Sequence, residues 1–101
     1  MFDHVTIRVA DRAASERFYA TVLAPLGIEQ THSDGALAEW DDFSLSPADA
    51  EHPVTRRLHA GFAAGSRALA DEFWSAGTAA GYGAFVLDPD GNNVEVVSHN
   101  R

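Results

Sequence analysis

Glu95 is the residue whose chemistry most needs an explanation. It lies within Val94-Glu95-Val96-Val97, a β-branched run that is typical of a strand. Alternation places Val94 and Val96 on one face of this strand, with Glu95 and Val97 on the other. Because burying a carboxylate without a partner costs a large free energy, Glu95 is expected to have a partner elsewhere in the chain.

Two histidines occupy matching places in the two halves of the sequence. His4 begins an alternating segment over residues 4–10, and His59 lies in a similar segment over residues 58–63, 55 positions later. A turn, an amphipathic helix and further strands follow each segment, which indicates an internal duplication. The terminal strands align as well, and that alignment sets Ser44 of the first half against Glu95 of the second.

The first half predicts the order β-α-β-β-β. Asp11 is the expected N-cap of a helix with one apolar face, and Pro25 and Gly27 are expected to end it. Short apolar runs separated by turn residues then predict three strands. These strands are expected over residues 28–32, 36–40 and 43–46.

The second half repeats the strand and the helix after a polar linker over residues 47–57. Ser66 is the expected N-cap, and Gly77 and Gly81 are expected to mark the end of the helix. A hairpin over residues 82–99 would follow, closed by a turn at Asp-Pro-Asp-Gly-Asn. The chain is thus expected to be one domain, with module one at about 1–46 and module two at about 58–101. The predicted core contains Val5, Ile7, Phe18, Val22, Phe62, Phe73, Val94 and Val96.

Three stretches resemble the vicinal oxygen chelate superfamily, which includes glyoxalase I, extradiol dioxygenases, fosfomycin-resistance enzymes and bleomycin-binding proteins. They are the strand that starts at His4, the Phe18-Tyr19 helix that ends at Leu26-Gly27, and the stretch from Phe85 to Glu95. The resemblance covers nearly the whole chain. It implies an α+β fold of two β-α-β-β-β modules, whose curved mixed sheet surrounds a cleft with the helices outside. Activity stays open, since the superfamily hosts many chemistries.

The second module departs from that family. Relatives have a further strand and a long loop between its helix and its penultimate strand, whereas Gly81 here passes straight into Tyr82. Either that edge of the cleft is missing, or the sequence omits a flexible segment. The second module is therefore expected to be shortened.

The resemblance places the family's metal ligands at His4, His59 and Glu95, with Ser44 at the fourth position. Two imidazoles and one carboxylate suit a divalent ion such as Fe²⁺ or Mn²⁺ and leave room for substrate or water. Zinc or nickel of the glyoxalase type fits less well, because Ser44 replaces a carboxylate. Glu95 is also the candidate catalytic residue. In the metal-free alternative, Glu95 would pair with Arg8 or with a histidine.

Four more residues are candidates for contact with a small molecule in the cleft. Thr6 shares the face of His4, although a strand threonine is often only a good β-former. Arg8 could bind an anionic substrate, although a surface ion pair is the commoner role. Trp40 and Tyr82 are the aromatic side chains expected to line the cleft.

Composition excludes several other classes of function. The formal net charge is −8, from 15 acids and 7 bases, and there is no cysteine. That charge repels phosphate backbones and anionic lipids, so no nucleic-acid or membrane partner is expected. Disulfides and thiolate metal sites are excluded. No signal peptide or membrane span is expected, which favours a cytoplasmic protein.

The resemblance implies two classes of function. As an enzyme, the chain would bind a divalent metal and a small oxygen-bearing substrate, most simply as a lyase or isomerase. Extradiol-type dioxygenation and fosfomycin-type transfer are further alternatives. As a binding protein of the bleomycin-resistance type, it would hold a drug or metabolite without metal. A homodimer is expected, because relatives commonly dimerise and a lost edge strand leaves backbone unpaired.

Overall fold

The computed structural model describes residues 2–81 and 86–98, and these form an α+β fold, as predicted. The helices are α1 (Arg12–Leu23), a short 3-10 helix (Ala24–Leu26) and α2 (Arg67–Ala79). The strands are β1 (Val5–Val9), β2 (His32–Ser33), β3 (Ala38–Trp40), β4 (Phe43–Pro47), β5 (His59–Ala64) and β6 (Asn93–Ser98). No helix in this described part is both long and apolar enough to cross a membrane.

The strands of the first half form a four-stranded sheet in the order β1-β4-β3-β2. β1 runs parallel to β4, and the other two pairs are antiparallel. This is the predicted β-α-β-β-β module. The strand predicted over residues 28–32 is wrong over most of its length, because Ile28 is still bound to the end of α1 through the Leu23 carbonyl at 3.2 Å.

The strands of the second half form a two-stranded parallel sheet of β5 and β6, with α2 between them in the chain. The predicted turn before β6 is confirmed, since the Gly91 N–H donates to the Asp88 carbonyl at 2.9 Å. Leu87 then forms a single antiparallel bridge with Asn93. Tyr82, Phe85 and His99 of the predicted hairpin lie outside the described residues.

The two sheets share one pairing register. Thr6 of β1 pairs with Ser44 of β4, and Gly61 of β5 pairs with Glu95 of β6. Thr6 and Gly61 each lie two residues after the matching histidines. The backbone therefore confirms the internal alignment that set Ser44 against Glu95.

Local side-chain chemistry fixes both helices. Asp11 accepts a hydrogen bond from the Ala14 N–H at 3.0 Å, and Ser66 accepts one from the Leu69 N–H at 3.2 Å, so both predicted N-caps are confirmed. Gly77 does not end α2 but lies inside it. A Cβ at Gly77 would lie 3.1 Å from Val86 Cγ2, so this glycine permits close packing.

Both halves contribute to one buried core. Five of the eight predicted core residues are buried, and the other three, Val5, Phe62 and Val96, pack against them partly exposed. The Phe62 ring of β5 lies 5.2 Å from Phe43 of β4 and 6.5 Å from Tyr19 of α1, measured between centroids. These aromatic contacts join the second half to the first.

Candidate functional site

Glu95 forms a direct hydrogen bond with His59. His59 Nε2 lies 2.7 Å from Glu95 Oε1, and the imidazole donates to the carboxylate. The two residues lie diagonally across neighbouring strands, since His59 pairs with Asn93 and Gly61 pairs with Glu95. The structure therefore pairs Glu95 with a histidine, which is one of the two partners expected in the metal-free alternative. Arg8 instead donates to the Pro47 carbonyl at 3.4 Å.

The His59–Glu95 pair is open to solvent. The side chains are 58% and 39% exposed, so Glu95 is not the buried carboxylate that the strand pattern indicated. Gly61 and Ala63, on the same face of β5, are also exposed. A Cβ at Gly61 would lie 3.9 Å from Glu95 Oε1, so the glycine leaves space beside the carboxylate. A bound molecule can therefore approach the pair.

Hydrogen bonding to Glu95 also selects one form of the imidazole. When Nε2 carries the donated proton, the lone pair of neutral His59 lies on Nδ1. The carboxylate would then stabilise the imidazolium that forms when Nδ1 takes up a proton. An imidazole held in this way is suited to act as a general base and then as a general acid.

His59 borders a groove of about 560 Å³ that runs between the two sheets. This β5 groove is lined by both modules and is mainly apolar. A volume of that order suits a small organic molecule. Its lining residues are Phe2, Val5, Ile28, Asp42, Phe43, Leu58, His59, Ala60, Gly61, Phe62 and Ala63.

His4 lines a different cavity, of about 370 Å³, on the first module. This acidic cavity is lined by Asp3, His4, Thr6, Leu37, Glu39, Asp41, Asp42 and Ser44. His4 Nδ1 lies 3.0 Å from Asp3 Oδ1, and the hydroxyls of Thr6 and Ser44 are hydrogen-bonded at 2.8 Å. The sequence reasoning missed Glu39, although alternation with Ala38 and Trp40 places it on the open face.

Proteins similar to this chain are found among solved structures. No protein-family model and no curated protein sequence matches this chain. A glyoxalase/bleomycin resistance protein from Albidiferax ferrireducens T118 is 28% identical, with a TM-score of 0.81, and the match covers 98% of this chain and 99% of that one. The resemblance to the vicinal oxygen chelate superfamily is confirmed.

Two further structures extend this likeness at the level of the fold. Lactoylglutathione lyase from Agrobacterium tumefaciens is 23% identical, with a TM-score of 0.72, over 98% of this chain and 93% of that one. The oxidase ChaP-H2 is 21% identical, with a TM-score of 0.67, over 99% of this chain and 94% of that one. These two matches therefore extend over nearly the whole chain at the level of the fold.

The three ligands that this superfamily implies do not converge within one chain. Among the described residues, no group of three His, Asp or Glu side chains is placed to hold one metal ion. His59 and Glu95 lie together, but their nearest nitrogen and oxygen bind each other. His4 lies in the acidic cavity beside Asp3. The side chains of a single chain, as they stand, therefore do not fit a two-histidine, one-carboxylate metal site.

The predicted contact residues also lie in different places. Thr6 lines the acidic cavity, and its hydroxyl is engaged with Ser44. Trp40 is 2% exposed and packs in the core, with its ring 6.2 Å from that of Tyr19, so it does not line an open cleft in this structure. Trp40 was expected at the cleft, but an aromatic residue at an apolar strand position is as readily buried in the core as exposed to a ligand. Tyr82 lies outside the described residues.

Proposed function

We propose that this chain binds a small oxygen-bearing molecule in the β5 groove and that the His59–Glu95 pair moves a proton on it, as in a lyase or isomerase. The hydrogen bond between His59 Nε2 and Glu95 Oε1, beside a groove of suitable size, carries this proposal. The glyoxalase and lyase names among the similar structures support it.

The proposed chemistry is general acid–base catalysis. His59 Nδ1 would remove a proton from carbon next to a carbonyl, and the C–H electron pair would pass to the carbonyl oxygen as an enolate. The imidazolium, stabilised by Glu95, would then return the proton to a neighbouring atom or to a leaving group. A positioned acid–base group of this kind contributes about 100- to 10,000-fold in rate.

The free edge of β5 supplies candidate donors for the enolate oxygen. Leu58 faces β6, because the Asn93 N–H donates to the Leu58 carbonyl at 3.0 Å. Every second residue after Leu58 faces β6 in the same way. The N–H of Gly61, a residue that lines the groove, therefore points away from β6. No other strand pairs with this edge in the described part of the chain.

Solvent deuterium incorporation tests the proposal without knowledge of the natural substrate. The probes are small α-hydroxy ketones, which carry two neighbouring oxygens and an acidic C–H. The wild type is expected to catalyse exchange, His59→Gln to abolish it and Glu95→Gln to slow it about 100-fold. His52→Gln is the matched control, because this exposed histidine pairs with Asp49 in the linker. Binding without exchange in the wild type would contradict the proposal.

A metal-free binding protein of the bleomycin-resistance type is the second candidate. The mainly apolar lining of the β5 groove favours it, because apolar contact holds a ligand without chemistry. Calorimetry would then find a bound drug or metabolite that is released unchanged. Groove substitutions such as Phe62→Ala would weaken that binding, whereas Glu95→Gln would leave it nearly unchanged.

The third candidate is a metal-dependent enzyme whose site is shared between two copies of the chain. The predicted ligands are divided between the acidic cavity and the β5 groove, so a second copy would have to bring its His4 to the His59–Glu95 pair. The free edge of β5 supports the predicted homodimer. Sedimentation that shows a monomer at micromolar concentration would contradict both the dimer and this site. A cytoplasmic location stays a prediction.

A further inference from the structure

A buried polar network connects α1, the turn before β6 and the start of β5, which carries His59. It consists of Tyr19 from α1, which is 0% exposed, and of Asp88 and Asn92 from the turn before β6, which are 4% and 0% exposed. The Tyr19 hydroxyl donates to Asp88 Oδ2 at 2.7 Å. Asn92 Nδ2 donates to the same oxygen at 3.1 Å. The proposed proton transfer does not use these side chains directly.

Neutral donors surround the Asp88 carboxylate. Its Oδ1 accepts from the N–H groups of Asp90 at 3.0 Å and Asn92 at 2.9 Å, so both oxygens are satisfied. Burial, and then the charge of Asp88, raise the pKa of Tyr19 far above its ordinary value, so the hydroxyl keeps its proton and donates. These bonds shape the turn, and the Asn92 side chain also forms bonds outside it.

The network ends at the residue that precedes His59. Asn92 Oδ1 accepts from the Leu58 N–H at 2.9 Å, and the Leu58 carbonyl accepts from the Asn93 N–H at 3.0 Å. Asn92 Nδ2 also donates to the Thr55 carbonyl at 2.9 Å. Leu58 is thus held through both of its backbone polar groups, where the chain enters β5.

We propose that Tyr19, Asp88 and Asn92 are positioning residues that set the separation of His59 and Glu95. The pair lies diagonally across β5 and β6, and the two side chains meet only while these strands keep their register. A slide of β5 along β6 would separate Nε2 from Oε1, and hydrogen bonds weaken steeply with distance and angle. The network opposes that slide by tying Leu58 to the turn and the turn to α1.

Tyr19→Phe tests this role with the smallest change, because it removes one hydroxyl and keeps the ring that packs against Phe18 and Phe43. Ring nitrogen shifts of His59 are read by NMR at about pH 8, where an ordinary imidazole is neutral. In the wild type, the Nε2–H nitrogen and its proton are expected to carry the downfield shift of a hydrogen bond to Glu95. Tyr19→Phe is expected to lose that downfield shift, and the signals of His32 and His52 are expected to stay unmoved.

A matched control separates positioning from general loss of stability. Val22→Ala opens a cavity at another fully buried position of α1 that has no bond to the network. It is expected to lower the unfolding midpoint and leave the His59 Nε2–H shifts unchanged. A folded Tyr19→Phe protein with unchanged His59 shifts would overturn the proposal, as would an equal change in Val22→Ala.

The inference rests on the proposed function only in treating His59 and Glu95 as the working pair. The NMR experiment reads geometry, whereas deuterium incorporation reads chemistry. Loss of the downfield His59 Nε2–H shifts in Tyr19→Phe, with no exchange by the wild type, would refute the proposed function and support the positioning role. Exchange by the wild type, together with unmoved His59 shifts in Tyr19→Phe, would support the proposed function and refute the positioning role.

Discussion

The two modules place different chemistry on the same backbone register. In the first module, Thr6 faces Ser44, and the two hydroxyls bind each other at 2.8 Å. In the second, Gly61 faces Glu95, and the carboxylate reaches diagonally to His59 at 2.7 Å. Hydroxyls paired in this way offer no base near neutral pH, whereas an imidazole beside a carboxylate does. The two modules therefore share the strand pairing and differ in the side chains at equivalent positions.

The modules also differ in what surrounds these positions. The acidic cavity of the first module is small and lined by carboxylates, whereas the β5 groove is larger and mainly apolar. The exposed His59–Glu95 pair borders the apolar groove, which offers contact area for an organic molecule beside the pair. For this reason the proposed chemistry is assigned to the second module.

The largest expected effect comes from breaking the contact that joins the modules. Phe62→Ala removes the ring that packs on Phe43 and Tyr19, and it should lower the free energy of unfolding by about 3 kcal/mol. Phe2→Ala is the control, because Phe2 is 69% exposed and should cost less than about 0.5 kcal/mol. Urea denaturation measures both. Equal effects would show that the Phe62 ring does not join the modules.

A double substitution should give the second module the side chains of the first. Gly61→Thr with Glu95→Ser should slow deuterium exchange about 100-fold, as Glu95→Gln does, and change stability by less than about 1 kcal/mol. The fold should tolerate it, since a Cβ at Gly61 meets no atom nearer than 3.6 Å. Circular dichroism checks the fold beside the exchange assay. Exchange at the wild-type rate in the folded variant would contradict the role of Glu95.

The reverse substitution should give the first module a carboxylate. Ser44→Glu breaks the Thr6 hydrogen bond at a position that is 4% exposed and adds charge beside Glu39 and Asp42. It should cost about 1–3 kcal/mol in unfolding free energy. If the metal-dependent alternative holds, it should also tighten Mn²⁺ or Zn²⁺ binding, which calorimetry measures. Unchanged metal affinity in Ser44→Glu would count against that alternative.

The smallest expected effect lies at the edge of the first sheet. A hydrogen bond from His32, followed by the N–H groups of Ala36 and Leu37, lowers the pKa of Asp34 to about 2. Because this pKa is lower in the folded protein than the ordinary value of about 3.9, the stabilisation is present above that value and lost as pH falls towards 2. Asp34→Asn should flatten stability over this window. An Asp34 that titrates near 3.9 by NMR would contradict the prediction.

Local features of the sequence predicted much of the fold. Asp11 and Ser66 cap helices because their side chains accept from N–H groups within the first turn, a short-range interaction that spacing reveals. Pairing of Ser44 and Glu95 with matching strand positions followed from the internal repeat. Each of these needed only nearby residues or a comparison of the two halves.

The arrangement of the site could not be predicted in the same way. Whether His4 meets His59 and Glu95 depends on how the modules pack, and here α1 contacts α2 while the Phe43 and Phe62 rings stack edge to face. No spacing in the sequence encodes that packing. The network of Tyr19, Asp88 and Asn92 was not predicted because Tyr19 lies 69 positions before Asp88, and the turn motif already accounted for Asp88 and Asn92.

The rate of deuterium exchange in His59→Gln, compared with His4→Gln, tests the central claim most directly. The account predicts that His59→Gln abolishes exchange of an α-hydroxy ketone, because its imidazole holds the proton. It predicts that His4→Gln retains exchange, since His4 lies in the acidic cavity beside Asp3. Equal loss in both variants would contradict the account and indicate one centre that both histidines share.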